Sequence, residues 1–176
     1  DKLRGSSELA PESRHCEAVG AMLAHMHLAG RDFEMRQPNL RGLNWWNETV
    51  PVVLPHVNAQ QRQLLQSELA HQNHMASKPA YAALPRGPVH ADLFRDNVMF
   101  ESGALTGFFD FYFAGNDTWL FDLAVCLNDW AVSHGEPVVD GQHRPELAQA
   151  MLAAYQRVRP LNAAERSLLP AMLRAA

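Results

Sequence analysis

His90-Ala91-Asp92-Leu93-Phe94-Arg95-Asp96-Asn97, with Val98-Met99-Phe100 directly behind it, is the stretch on which the reading of this chain turns. A second apolar run, Leu105 to Phe109, ends on Asp110. Between the two runs, Glu101-Ser102-Gly103-Ala104 has the composition of a tight hairpin turn. An antiparallel hairpin returns the chain to its start, so Asn97 and Asp110 are expected at the same end. Asp92 would sit on the loop that enters the hairpin. One end of one small sheet would then carry a carboxylate, a carboxamide and a second carboxylate.

That trio suits phosphoryl transfer from a nucleotide. A hard cation such as Mg2+ takes oxygen ligands, usually one or two carboxylates completed by phosphates and waters. Asn97 and Asp110 can supply two such oxygens. Asp92 is then free to aim an attacking hydroxyl and accept its proton, the division of labour seen in protein kinases. Singly, an Asp or Asn beside a strand is a turn residue or a cap; it is the order and spacing of all three that make a site.

The flanks differ from those of protein kinases: the loop reads His-Ala-Asp, and Asp110 is followed by Phe111-Tyr112. With these departures the chain resembles the aminoglycoside phosphotransferase and choline kinase superfamily of small-molecule kinases. The resemblance stands on three ordered motifs: His90/Asp92/Asn97, Phe109-Asp110-Phe111 and Asp122-Leu123-Ala124. Within that superfamily, the loop and the run from Asp122 to Trp130 are similar to the bacterial homoserine kinases of this fold. The resemblance implies a mainly α chain with a small β-hairpin (α+β), the C-terminal lobe of a protein-kinase-like fold. It implies ATP and Mg2+ as cofactors and a small hydroxyl-bearing metabolite as substrate. It also implies second-layer roles: His90 bonding nearby backbone, and Asp122 bracing the catalytic loop. Arg95 would steady a transferring phosphate or a substrate carboxylate, or lie solvated on the surface, and Asp129 would meet the ammonium of homoserine.

Composition agrees with an ordinary folded domain. The 176 residues are 47% apolar, with net charge −4, so no broad attraction to nucleic acid is expected. No apolar run is long enough to span a membrane. Cys16 and Cys126 both lie in apolar helical patterns and read as buried thiols of a reducing, cytoplasmic compartment. There are two lysines, Lys2 and Lys78, neither in a strand-like run, and no Gly-rich phosphate loop. Residues 1–176 are therefore expected to be one C-terminal, catalytic and substrate lobe, with the N-terminal ATP-covering lobe absent. Such a lobe alone would be inactive, and its uncovered apolar face would favour a homo-oligomer.

Along the chain, apolar spacing predicts a helix over Ser13 to Ala29, closed by Gly30, with His27 packed or capping and His25 solvated. Residues 31–44 read as loop. Trp45 to Val57 reads as a short broken helix whose paired tryptophans serve the core or a lobe contact. Asn58 with Gln61 forms a capping-box pattern opening a helix to about Ala76, with an apolar stripe of Leu64, Leu65, Leu69 and Met75. Pro79 to Pro88 reads as a linker, and 111–117 as a turn. Asp122 would open an apolar helix through Ala131, 134–143 would be a polar loop, and helices would follow at Pro145–Val158 and from Asn162 onward. Rival substrates within the superfamily are choline, aminoglycosides and thio-sugars. The rival from another class is a non-catalytic, kinase-like binding module, against which the joint presence of Asp92, Asn97 and Asp110 argues.

Overall fold

The computed structural model describes residues 2–133 and 141–176. Its helices are α1 (Ser13–Ala29), α2 (Leu43–Val53), α3 (Ala59–Ala76), α4 (Pro79–Ala82), α5 (Trp119–Trp130), α6 (Pro145–Val158) and α7 (Ala163–Ala175). Its strands are β1 (Arg86–Val89), β2 (Val98–Glu101), β3 (Ala104–Phe108), β4 (Gly115–Thr118), β5 (Val132–Ser133) and β6 (Gln142–His143). Among the described residues they form three antiparallel pairs: β1 with β4, β2 with β3, and β5 with β6.

The expected hairpin is β2–β3. Ser102 and Gly103 turn it with φ of 52° and 78°, the doubly positive geometry that matches strand twist. Ser6 adds an outer bridge, exchanging hydrogen bonds with Phe100 at 3.0 and 2.9 Å. The segment read as a turn after Asp110 is instead a short 3₁₀ stretch, Phe111–Phe113, followed by β4. Gly115-Asn116-Asp117-Thr118 contains no strong strand former apart from Thr118, and pairing with Arg86–Val89 makes it a strand. The linker before the catalytic segment likewise contains α4 and β1.

Helix α5 is the central element, with Leu120, Leu123, Ala124, Cys126 and Trp130 all essentially inaccessible. It starts at Trp119 because Thr118 caps it, its hydroxyl accepting from Phe121 N at 3.3 Å. Asp122 therefore lies inside the first turn and is not the cap. Helix α1 packs chiefly on α6. The two backbones approach so closely at Gly20 that a Cβ there would lie 2.3 Å from Met151 O. Asn58/Gln61 and Asn162/Glu165 form the capping boxes their spacing predicts. The stripe on α3 does not behave as expected: Leu64 is exposed and the buried residue of α3 is Gln72, which donates to Ala171 O of α7. Pro51 sits inside α2, which runs unbroken to Val53 before tightening into a 3₁₀ turn over Leu54–His56. Residues 134–140 of the expected polar loop lie outside the described residues.

Candidate active site

The catalytic loop leaves β1 at His90 and re-enters β2 at Val98, and one face of α5 holds it throughout. Asp122, Cys126, Asp129 and Trp130 follow the three-to-four-residue period of a helix face. The Asp122 carboxylate accepts from His90 N and from Ala91 N, both at 2.8 Å. Trp130 Nε1 donates to Leu93 O at 3.1 Å, and Cys126 Sγ lies 3.7 Å from the same oxygen. Asp129 accepts from Arg95 N at 2.8 Å. Three backbone donors and one carbonyl of an irregular loop are thus satisfied at α5, which is what a buried loop requires.

The bracing holds a strained backbone in place. Ala91 has φ of 65°, a left-handed conformation that costs a residue with a Cβ about 1–2 kcal/mol. This kink directly precedes Asp92 and sets the direction of its side chain. Asp122 is fully buried. Burial pushes its carboxyl up, but the His27 hydrogen bond and charge and the two backbone N–H groups outweigh that, and the net shift is downward. His27, also fully buried, bonds Asp122 through Nε2 at 3.0 Å and the Tyr155 hydroxyl through Nδ1 at 2.8 Å. Arg159 donates to that hydroxyl at 3.1 Å and to Glu165 at 2.5 Å.

The hairpin brings Asn97 and Asp110 to one end, as its geometry requires. Phe109 N donates to Asn97 O at 3.1 Å, and Asp110 is the next residue. Asp110 is exposed and left-handed, with φ 58° and ψ 60°. Asn97 is buried, and its amide nitrogen donates to Asp92 O at 2.7 Å, with Asp92 Oδ2 at 3.4 Å. That fixes the amide orientation: the nitrogen faces the loop, and Oδ1 accepts no hydrogen bond among the described residues. A free carbonyl oxygen and an exposed carboxylate carried by the same hairpin end are ligand types that suit a hard cation. Among the described residues no three His, Cys, Asp or Glu converge into a self-sufficient metal cage. Two protein oxygens that leave the remaining positions to phosphate and water are the pattern Mg2+ prefers. Asp92 is half-buried; burial, with the Asp110 and Asp96 charges, holds its carboxyl above the usual range, against His90 and Asn97. His90 is fully buried, with Nε2 2.8 Å from Phe109 O, tying the loop to the end of β3.

Arg95 and Asp129, expected to meet ligand groups, meet each other. Arg95 Nε and NH2 lie 3.1 and 3.3 Å from the two Asp129 oxygens, both side chains are largely buried, and Arg95 NH1 also donates to Leu9 O. The pair occupies the Arg95 guanidinium, while Asp129 also lies on the wall of the cleft that contains Asp92.

Asp92 opens onto a cleft of about 500 Å3 shared with Arg41, Trp45, Trp46, Phe94 and Asn128. The size suits a small ligand. The tryptophans are not core: Trp45 is 38% exposed and both lie on the cleft wall. Sequence reasoning missed Arg41, whose only signal was its nearness to the Trp-Trp pair in a polar loop.

The model of the phosphotransferase enzyme family matches residues 2–161. The chain is 62% identical over 175 residues to a homoserine kinase of Polaromonas naphthalenivorans (strain CJ2), covering 99% of this chain and 54% of that protein. It is 55% identical over 174 residues to a homoserine kinase of Janthinobacterium sp. (strain Marseille), covering 99% and 53%. The chain thus spans about half the length of the curated relatives it matches. Among solved structures it is similar to an amicoumacin kinase in complex with AMP-PNP and Ca2+ (TM-score 0.72, 20% identity, 98% of this chain and 52% of that one). It is also similar to a choline kinase from Cryptosporidium parvum Iowa II (TM-score 0.70, 11% identity, 99% and 59%). These two likenesses establish a shared fold.

Proposed function

We propose, for a chain that belongs to the phosphotransferase enzyme family, that the protein it represents transfers the γ-phosphate of ATP to the hydroxyl of L-homoserine. The observation that carries this reading is the pairing of a braced, half-buried Asp92 at a small cleft with a free Asn97 oxygen and Asp110 at the same hairpin end. The choice of homoserine is supported by the relatives of that name.

In this mechanism the loop backbone, strained at Ala91 and tied to Asp122, aims Asp92 at the acceptor hydroxyl. The hydroxyl oxygen attacks the γ-phosphorus, the bond from γ-phosphorus to the leaving ADP oxygen breaks, and the hydroxyl proton passes to Asp92. Asn97 Oδ1 and the Asp110 carboxylate would hold Mg2+, which neutralises the phosphate charge. Because the transition state is loose, most of the rate comes from alignment and fixed charge. Residues 1–176 supply the acceptor and metal sides, as a C-terminal catalytic lobe. Neither Lys2 nor Lys78 lines the cleft, so the phosphate grip is assigned to the rest of the full-length protein. Buried, free Cys16 and Cys126 suit a reducing cytoplasm, and among the described residues no helix is long and apolar enough to cross a membrane.

The test is ADP release by the full-length protein with Mg-ATP and a panel of L-homoserine, choline and an aminoglycoside. Homoserine is expected to give by far the largest kcat/KM. A larger value for another acceptor would overturn the substrate assignment while leaving the phosphotransferase roles in place.

A further inference from the structure

Homoserine carries a hydroxyl, an ammonium and a carboxylate, and the site described so far gives the carboxylate no partner. A carboxylate in a half-enclosed cleft needs a cation or several donors to replace lost water. Arg95, the cation closest to Asp92 in sequence, is closed against Asp129 and Leu9 O.

Arg41 is held differently. Its guanidinium carbon lies 4.9 Å from the Trp45 ring centroid and 4.8 Å from that of Phe113. The two rings hold the guanidinium by cation–π contact, which uses none of its N–H groups as hydrogen-bond donors to oxygen. Among the described residues no carboxylate, carbonyl or hydroxyl accepts from those N–H groups. The backbone beneath is fixed: Arg41 N donates to Asn39 Oδ1 at 2.9 Å, and buried Asn39 donates to Asp117 Oδ2 at 2.8 Å, anchoring the loop to β4. Asp117, the acid at this anchor, already accepts from Asn39 and from its neighbour Thr118 N and pairs with Arg86 at 3.5 Å. Arg41 is therefore a fork held between two aromatic rings, with its donors open, on the wall of the cleft that contains Asp92. A planar fork of this kind matches a carboxylate with two parallel hydrogen bonds.

We propose that Arg41 binds the carboxylate of the acceptor and thereby selects a hydroxy amino acid over an amino alcohol. The proposal rests on the homoserine reading above, and it adds the residue that enforces it.

The experiment compares L-homoserine with 3-aminopropan-1-ol, which keeps the hydroxyl and the amine but has no carboxylate. The full-length wild type, Arg41→Met and Arg41→Lys are measured with both. Methionine keeps the packing on Trp45 and Phe113, and thermal unfolding checks that the fold is intact. Arg41→Met is expected to raise KM for homoserine by about 10- to 100-fold, the range for losing a hydrogen-bonded charge. KM for ATP should stay at its wild-type value. The preference for homoserine over the amino alcohol should fall by the same factor, because the amino alcohol never used Arg41. Arg41→Lys should lie between, keeping charge but losing the fork. Calorimetric titration of homoserine without nucleotide should show the same loss in affinity. If Arg41→Met weakens both acceptors equally, its role is structural and the proposal falls. An unchanged preference in a protein that phosphorylates homoserine overturns the clamp alone. A wild type that does not use homoserine overturns the reading beneath it as well.

Discussion

Replacing Asp122 by Asn changes one atom and removes a charge, and the outcome can be worked out bond by bond. The carboxylate accepts from Ala91 N through Oδ1, and from His90 N and His27 Nε2 through Oδ2. A carboxamide has one acceptor oxygen, so whichever way it turns, its NH2 faces a backbone N–H. Turned toward His90, it can still be accommodated by His27, which changes tautomer and accepts through Nε2. The backbone amide cannot adapt. One buried N–H is thus left unpaired, at about 1–3 kcal/mol, and the bonds that remain fall from charge-assisted to neutral strength. Together the loss is about 3–5 kcal/mol, the range for removing one partner of a buried ionic contact. At a slope of about 2 kcal/mol per molar urea, the unfolding midpoint should drop by roughly 1.5–2.5 M.

The same substitution should reach the chemistry. With the tie to Ala91 weakened, the left-handed kink relaxes and Asp92 loses its aim; a misplacement of about 1 Å costs on the order of 10²-fold in rate. Turnover by the full-length Asp122→Asn protein should therefore fall even at temperatures where it is fully folded. The pH dependence has a defined sign. The folded-state carboxyl lies below its ordinary value of 3.8, so its contribution is complete above pH 3.8 and is lost as pH falls through the lower folded value. The stability gap between wild type and variant should close over that acid window. A midpoint shift under about 0.5 M, on the same urea slope, together with wild-type turnover, would refute the bracing argument.

Asp92→Asn in the full-length protein should lower kcat by about 10²- to 10⁴-fold, the usual cost of a missing general base, with Mg-ATP affinity retained in calorimetric titration. Asp110→Ala should abolish Mg-dependent ATP binding, and Asn97→Ala should weaken it less, since a neutral amide oxygen is the poorer ligand; unchanged Mg2+ dependence in the Asp110 variant would place the metal elsewhere. Burial pushes the Cys16 thiol up to about 11, against the pull of Arg95 and Arg144, and raises Cys126 well above its usual value. Neither should react with iodoacetamide at pH 8 until denaturant is added, as mass spectrometry of the intact chain will show.

How much of this was legible in the sequence depended on the distance over which each feature is determined. The hairpin, the two Asn-led capping boxes and the extents of α1, α3 and α6 are set by residues within a few positions of one another, and they appear where the sequence puts them. β4 was hidden because a partner from Arg86–Val89 makes it a strand. The Leu64, Leu65 and Leu69 stripe misled because periodicity shows which face is apolar, not whether a neighbour covers it. The Arg95–Asp129 pairing was hidden for a similar reason. Each residue has an open charge in the sequence, and only the fold brings residues 34 positions apart into contact.

Asp122 is the instructive case, since its bare pattern fits a helix cap. Its actual partners are two amides more than thirty residues upstream and a histidine 95 residues away. From His27 the bonds continue through three more buried polar side chains, Tyr155, Arg159 and Glu165. His27 bridges Asp122 through Nε2 and the Tyr155 hydroxyl through Nδ1; that hydroxyl oxygen accepts from Arg159, which also pairs with Glu165. The series joins α5 to α1, α1 to α6, and α6 to α7 through Arg159, the residue that follows α6. Burying so many polar groups would be costly if any link were open, because each unsatisfied member leaves a desolvation penalty. Closed, the series gives the helices one mutual arrangement, and that arrangement fixes the α5 face that holds the catalytic loop. The orientation of Asp92 is therefore set by packing throughout the helical core, and the loop motif alone does not show what keeps it in place.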